Sequence, residues 1–110
     1  MATRSFIGIV NPDQTVTAIY CHYDGYPTGV GATLKTHWAT SASVEALVAL
    51  GDLSELGLCI ETTTAYHRDR GEELNIRQFE STAALLEAAR AAGVEYVYTW
   101  SEGRWQTTKV

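Results

Sequence analysis

SFIGIV-NPDQ-TVTAIYCHY, residues 5–23, carries the reading of the fold. Two runs rich in β-branched and aromatic residues flank a Pro-Asp turn, the pattern of an antiparallel hairpin. Alternation along the second run puts Val16, Ala18, Tyr20 and His22 on one face. Thr17, Ile19, Cys21 and Tyr23 take the other face. Neither face is plainly polar, so the strand is expected at the centre of a sheet with most of both faces covered.

Working outward, DGYP (24–27) ends the strand, and TGVGATLKTHW (28–38) switches to helical spacing through Val30, Leu34, His37 and Trp38. Gly29 and Gly31 weaken its first turn, which moves the expected start toward Gly31. SVEALVAL (43–50) fits a second helix, with Ser43 as N-cap and Gly51 just past its end. DLSELG (52–57) offers a short helical turn, with Asp52 and Glu55 in capping-box spacing. CIETTTAYH (59–67) reads as a strand, RDRGEE (68–73) as a charged turn and LNIRQF (74–79) as a short returning strand. STAALLEAARAAGV (81–94) is the plainest helix, capped by Ser81 and ended by Gly93. EYVYTW (95–100) and RWQTTK (104–109) flank SEG as a second hairpin, with Tyr96, Tyr98 and Trp100 on one face. The order predicts a single α+β domain over residues 1–110. Its sheet is antiparallel-rich, with about five to six strands including the N-terminal and C-terminal hairpins, and is packed with two or three helices.

Composition narrows the function classes. An apolar share of 45% with 19% charged residues is that of a soluble globular domain. Eight basic against thirteen acidic residues leave a net charge of −5, which repels a phosphate backbone and disfavours general nucleic-acid binding. A local basic pocket for a small anion is compatible with that charge. No apolar run has the length of a signal peptide or a membrane span, so the expected location is the cytoplasm and no membrane partner is expected. Cys21 and Cys59 are then expected as free thiols. Cys-x-x-Cys, a phosphate-binding glycine loop and helical His-Glu-x-x-His are absent from the sequence.

Two His-x-Asp triplets carry the most chemistry, His22-Tyr23-Asp24 and His67-Arg68-Asp69. On extended backbone, residues two apart project to one side, so each triplet would present an imidazole with a carboxylate. Brought together, the four groups could hold a divalent metal or set an oriented imidazole beside a phosphate ester. His22 and His67 are therefore the catalytic candidates. The plainer reading makes Asp24 and Asp69 turn formers, and no metal or cofactor is assigned. Cys21 faces away from His22 and reads as a small buried thiol; Cys59 also reads as core. Arg68, in a loop with Arg70 and acidic neighbours, is either locally paired or an anion clamp, to which Arg4 and Ser5 could add. Tyr26 and Tyr66 would wall the site. The candidate ligand-binding set is Arg4, His22, Asp24, Tyr26, Tyr66, His67 and Arg68.

Thr3-Arg4-Ser5, the alternating hairpin, and Tyr20-Cys21-His22-Tyr23-Asp24-Gly25-Tyr26 followed by a Gly-led helix together resemble a group of small uncharacterised phage and prophage proteins. The similarity extends to GDLSELG and AYHRDRGE and spans about two-thirds of the chain. Tyr23 stands where the group's pattern has tryptophan, which keeps the position aromatic. The resemblance implies a viral setting inside an infected host cell, where small proteins often antagonise host defence. It transfers no activity.

These readings converge on a binding module that captures a small anionic ligand, a nucleotide immune signal in the viral setting, without turnover. One alternative is a small phosphodiesterase-like hydrolase using His22 and His67. Another is a protein–protein inhibitor that covers a host defence protein with an acidic, aromatic face. Spare aromatics on a small sheet are often buried in a symmetric homodimer.

Overall fold

The computed structural model describes residues 2–110. The chain forms β1 (Ser5–Val10), β2 (Val16–Cys21), a π-helical turn (Pro27–Gly31) running into α1 (Ala32–His37), and α2 (Ser41–Ala49). There follow β3 (Leu53–Glu55), β4 (Thr64–Ala65), α3 (Tyr66–Arg70), β5 (Arg77–Phe79), α4 (Thr82–Ala91), β6 (Tyr96–Ser101) and β7 (Arg104–Lys109). Among the described residues seven strands join one sheet in the order β4-β3-β2-β1-β6-β7, with β5 also paired to β2. The class is α+β and most pairings are antiparallel, as the sequence predicts. The exceptions are β1–β6 and β2–β3, which are parallel.

The first hairpin pairs Ser5↔Cys21 through Val10↔Val16. Its turn is held by the side chains the sequence supplies. Asn11 donates to the hydroxyls of Thr15 and Thr17, and the Thr15 amide donates to Asp13. β2 is central and covered on both faces, which is why neither face reads as polar. One core gathers Ile7, Ile19, Cys21, Leu53, Tyr98 and Trp100 beneath Val30, Leu34, Val44 and Leu47 of the π turn, α1 and α2. The other gathers Phe6, Val16, Ala18 and Val97 beneath Leu85 and Ala89 of α4. The domain thus has helices on both faces of one sheet.

Gly31 packs against the Tyr98 ring, where an added Cβ would lie 3.0 Å from Cε1. The glycine that weakens the helix start in the sequence serves this close approach. Below it, the Tyr98 hydroxyl donates to the Gly25 carbonyl at 2.6 Å and pins the DGY loop to the sheet. Burial pushes the Tyr98 phenol up to about 12.

Several local expectations fail, each for a stated reason. DLSELG is not a helical turn: Gly51, at φ 77°, closes α2 and releases an extended run whose Leu53 is fully buried beside Cys21. Burial of Leu53 outweighs the capping-box spacing. Ser43 is the third helical residue, and Thr40 is the N-cap, in a reciprocal capping box with Ser43. CIETTTAYH forms only the two-residue strand β4. Its threonines bond loop backbone instead of a ladder, with the amides of Gly57 and Leu58 donating to Thr63 and Thr62 hydroxyls. Cys59 is consequently exposed, not core, whereas Cys21 is buried; both thiols are free.

Candidate functional site

The site grows from a gap in the sheet. The outer edge of β2 is shared: Val16–Ala18 pair with β5, and Cys21 pairs with β3. Between these pairings the Tyr20 amide has no strand to bond. Asp52, just before β3, fills the place, its Oδ1 accepting from the Tyr20 amide at 2.9 Å. The same carboxylate takes a two-pronged grip from Arg77 of β5, Nη1 to Oδ1 at 2.5 Å and Nη2 to Oδ2 at 2.9 Å. That hydrogen-bonded carboxylate holds the Arg77 guanidinium above its ordinary value.

Over this junction lies an open cavity of about 520 Å³, lined by Arg4, Phe6, Tyr20, Asp52, Tyr66, Glu72, Glu73, Asn75, Arg77 and Ala92. Phe6 meets Tyr20 edge-on, with ring centroids 6.3 Å apart, and Arg77 stands over the Phe6 ring at 5.6 Å. The Arg4 guanidinium reaches the end of α4. An added Cβ on Gly93 would lie 2.7 Å from its Nη2, which places the guanidinium tip directly over that glycine. Among the described residues no carboxylate lies within ion-pair distance of Arg4; Arg68 and Arg77 make the two ion pairs present. Tyr20 points its hydroxyl at His22 Nδ1, 2.6 Å away. Burial raises the Tyr20 phenol above its ordinary value, against the opposing pull of the Arg4 charge.

Of the residues the sequence singles out, Arg4 and Tyr66 line this cavity. His22 stands behind Tyr20 and does not line it. Asp24 and Tyr26 belong to a separate, smaller pocket of about 170 Å³ with Tyr23, Thr28 and Leu56. There the Tyr26 hydroxyl donates to Asp24 at 3.0 Å, and Asp24 sits at φ 57°, out of the strand. His67 and Arg68 hold together their own segment. His67 Nδ1 donates to the Glu72 carbonyl at 2.8 Å. Arg68 donates twice to Asp69 and once each to the carbonyls of Ile60 and Thr63. The expectation of one site holding both His-x-Asp triplets therefore needs correction. Its premise was extended backbone, but α3 makes residues 66–70 helical and β2 ends before His22. Among the described residues no group of three or more His, Cys, Asp or Glu side chains is placed to hold a metal ion.

Phe6, Tyr20, Asp52 and Arg77 are the residues that sequence reasoning leaves out of its candidate set. Arg77 lies in the LNIRQF strand that the sequence predicts, but its pairing with Ala18, which puts it on the face of Tyr20, comes only with the structure. Asp52 had no signal, because its role exists only once two other strands part beside it.

No protein-family model, curated protein or solved structure matches the chain. Fold and site thus define the class by themselves: a single-sheet α+β domain with an aromatic-walled cavity of mixed charge. No helix among the described residues is long and apolar enough to cross a membrane.

Proposed function

We propose that the chain is a small binding module that captures an anionic ligand of nucleotide size without turnover. The observation that carries this reading is Arg4, a cation with no carboxylate partner, set beside Tyr20 and Tyr66 in a 520 Å³ cavity. That volume falls in the range of small-molecule sites. A guanidinium grips phosphate oxygens with two parallel bonds, and tyrosine rings stack on a base. Glu72 and Glu73, on the same wall, supply acceptors for base N–H or sugar O–H donors. Their charge, with the net −5, selects against long polyanions and for a ligand carrying few phosphates.

In the phage setting that the N-terminal pattern suggests, the ligand is a nucleotide immune signal, and its capture in the host cytoplasm is counter-defence. The hydrolase alternative draws less support, because each imidazole is bonded within its own segment, His22 to Tyr20 and His67 to Glu72.

A panel of cyclic and linear nucleotides, read for melting shift and for product, tests the proposal. Stabilisation without product supports capture. Arg4→Ala should then weaken binding by roughly ten- to a hundredfold, the loss of about 1.5–3 kcal/mol expected for a charge-assisted bond. Product formation would establish the hydrolase. No shift and no product with any nucleotide overturns ligand capture and leaves the protein inhibitor.

A further inference from the structure

β7 closes one side of the sheet, and its outer edge is regular and open. Six consecutive residues pair with β6, from Ser101↔Arg104 to Tyr96↔Lys109, with no shift in register. The strand contains no proline, and among the described residues no strand pairs on its far side. Edges of this kind are ordinarily blunted by bulges, prolines, charged side chains or a covering element, because their free amides and carbonyls recruit other strands; β7 carries its charges only at its ends, Arg104 and Lys109, and its centre is uncharged.

Which groups point outward follows from the ladder. The Val110 amide donates to the Glu95 carbonyl at 2.8 Å, one step beyond the Tyr96↔Lys109 pair. Antiparallel bonding alternates, so the even-numbered residues of β7 bond to β6. The Glu102-Gly103 turn agrees: both residues have positive φ, 52° and 75°, and such a two-residue turn closes on a bonded pair, here Ser101 and Arg104. The amides and carbonyls of Trp105, Thr107 and Lys109 therefore face the open edge.

We infer that β7 is a self-association edge, pairing antiparallel with β7 of a second copy about a two-fold axis at Thr107. The axis stands normal to the sheet, so both copies keep the same face on the same side. Each residue must then oppose one of like parity. Centring on Thr107 satisfies that rule and the bonding alternation together. Trp105 bonds with Lys109 of the second copy, Thr107 with Thr107, and Lys109 with Trp105, which uses every outward group of the strand. The side chains suit this register. No two like charges stand directly opposite, Lys109 falls across from the Trp105 ring, and threonine opposes threonine. The self-pairing is isologous and closes at two copies.

Sedimentation velocity over a concentration series tests the edge, with Thr107→Asp and Thr107→Lys as variants. Thr107 is exposed, so neither change disturbs the core. An interface of one strand pair is smaller than standard, and a reversible dimer with Kd on the order of 10 μM is expected. Each variant alone sets like charges face to face on the axis and should be roughly fivefold weaker. An equimolar mixture of the two should recover the dimer, which also shows that both variants are folded. A monomeric wild type at about 200 μM, some twentyfold above that Kd, overturns the inference and leaves the edge to a foreign strand. Equal dimerisation by Thr107→Asp, or no recovery in the mixture, overturns it as well.

Discussion

Asp52→Ala should cost far more than a surface charge is usually worth, and Asp52→Asn should separate the reasons. The carboxylate side chain is 12% exposed and serves three donors, the Tyr20 amide and two Arg77 nitrogens. Alanine leaves the Tyr20 amide unpaired in a half-buried junction, a cost of about 1–2 kcal/mol. It also frees Arg77. Because that side chain is 37% exposed, its share is discounted for solvent screening to about 1 kcal/mol. The sum is about 2–3 kcal/mol. Asparagine keeps an oxygen for the Tyr20 amide and loses the charge, for about 1 kcal/mol. Urea unfolding reads both. With slopes of ~1–3 kcal/mol/M, alanine should lower the midpoint by on the order of 1 M at unchanged slope, and asparagine by less than half of that. Equal losses for the two variants, or losses under ~0.5 kcal/mol for both, would refute the idea that Asp52 stands in for a missing strand.

Two further outcomes are expected. In native protein at pH 8 a thiol reagent should label Cys59, which is exposed, and spare Cys21, whose thiol burial pushes up to about 12; denaturant should release the second equivalent. Equal labelling rates in the native state would contradict the packing around β2. Hydrogen bonds from Arg68 and from the Ala65 amide hold the Asp69 carboxyl below its ordinary 3.8, and bonds from Thr15 do the same for Asp13. A lowered folded-state pKa contributes stability above the unfolded value and loses it as pH falls through the folded one. These two groups therefore leave melting temperature unaffected between pH 7 and about 5, and lower it below about pH 4. Asp69→Asn should reduce that acid slope, and an unchanged slope below pH 4 would dissociate Asp69 from it.

What the sequence discloses divides along one physical line. Both hairpins and α4 are legible because their signals are local. Asn11 to Thr15 encode a turn, residues 16–21 alternate without a polar face, and Ser81 and Gly93 bracket an alanine-rich helix. β3 is illegible, and β4 is legible only as part of a longer expected strand over 59–67, because three and two residues acquire strand character only by pairing, Leu53 with Cys21 on one side and with Ala65 on the other. The site divides in the same way. Arg4 and Tyr66 stand out by residue type, and both line the cavity. The Asp52–Arg77 grip at its floor arises where β3 and β5 approach one edge of β2 from opposite ends, and spacing alone does not reveal such a meeting. His67 and Arg68 mislead for the opposite reason. Their chemistry is conspicuous, but their bonds are spent closing the loop around α3.

The parallel pairing of β1 with β6 sets Ser5 beside Tyr96 in the middle of the sheet. A ribosome delivers these partners at nearly opposite times. The first hairpin can close on its own as it emerges, but the sheet's central seam waits for β6, and α4 cannot seal the Phe6–Val97 core before then. Until that moment the flank of β1 that takes β6 stands unpaired, and Phe6 lacks its Val97 neighbour. Long-range closure of this kind slows folding and exposes the nascent chain to mispairing. Expression should accordingly respond to translation speed and chaperone supply more strongly than the equilibrium stability of the finished domain would suggest.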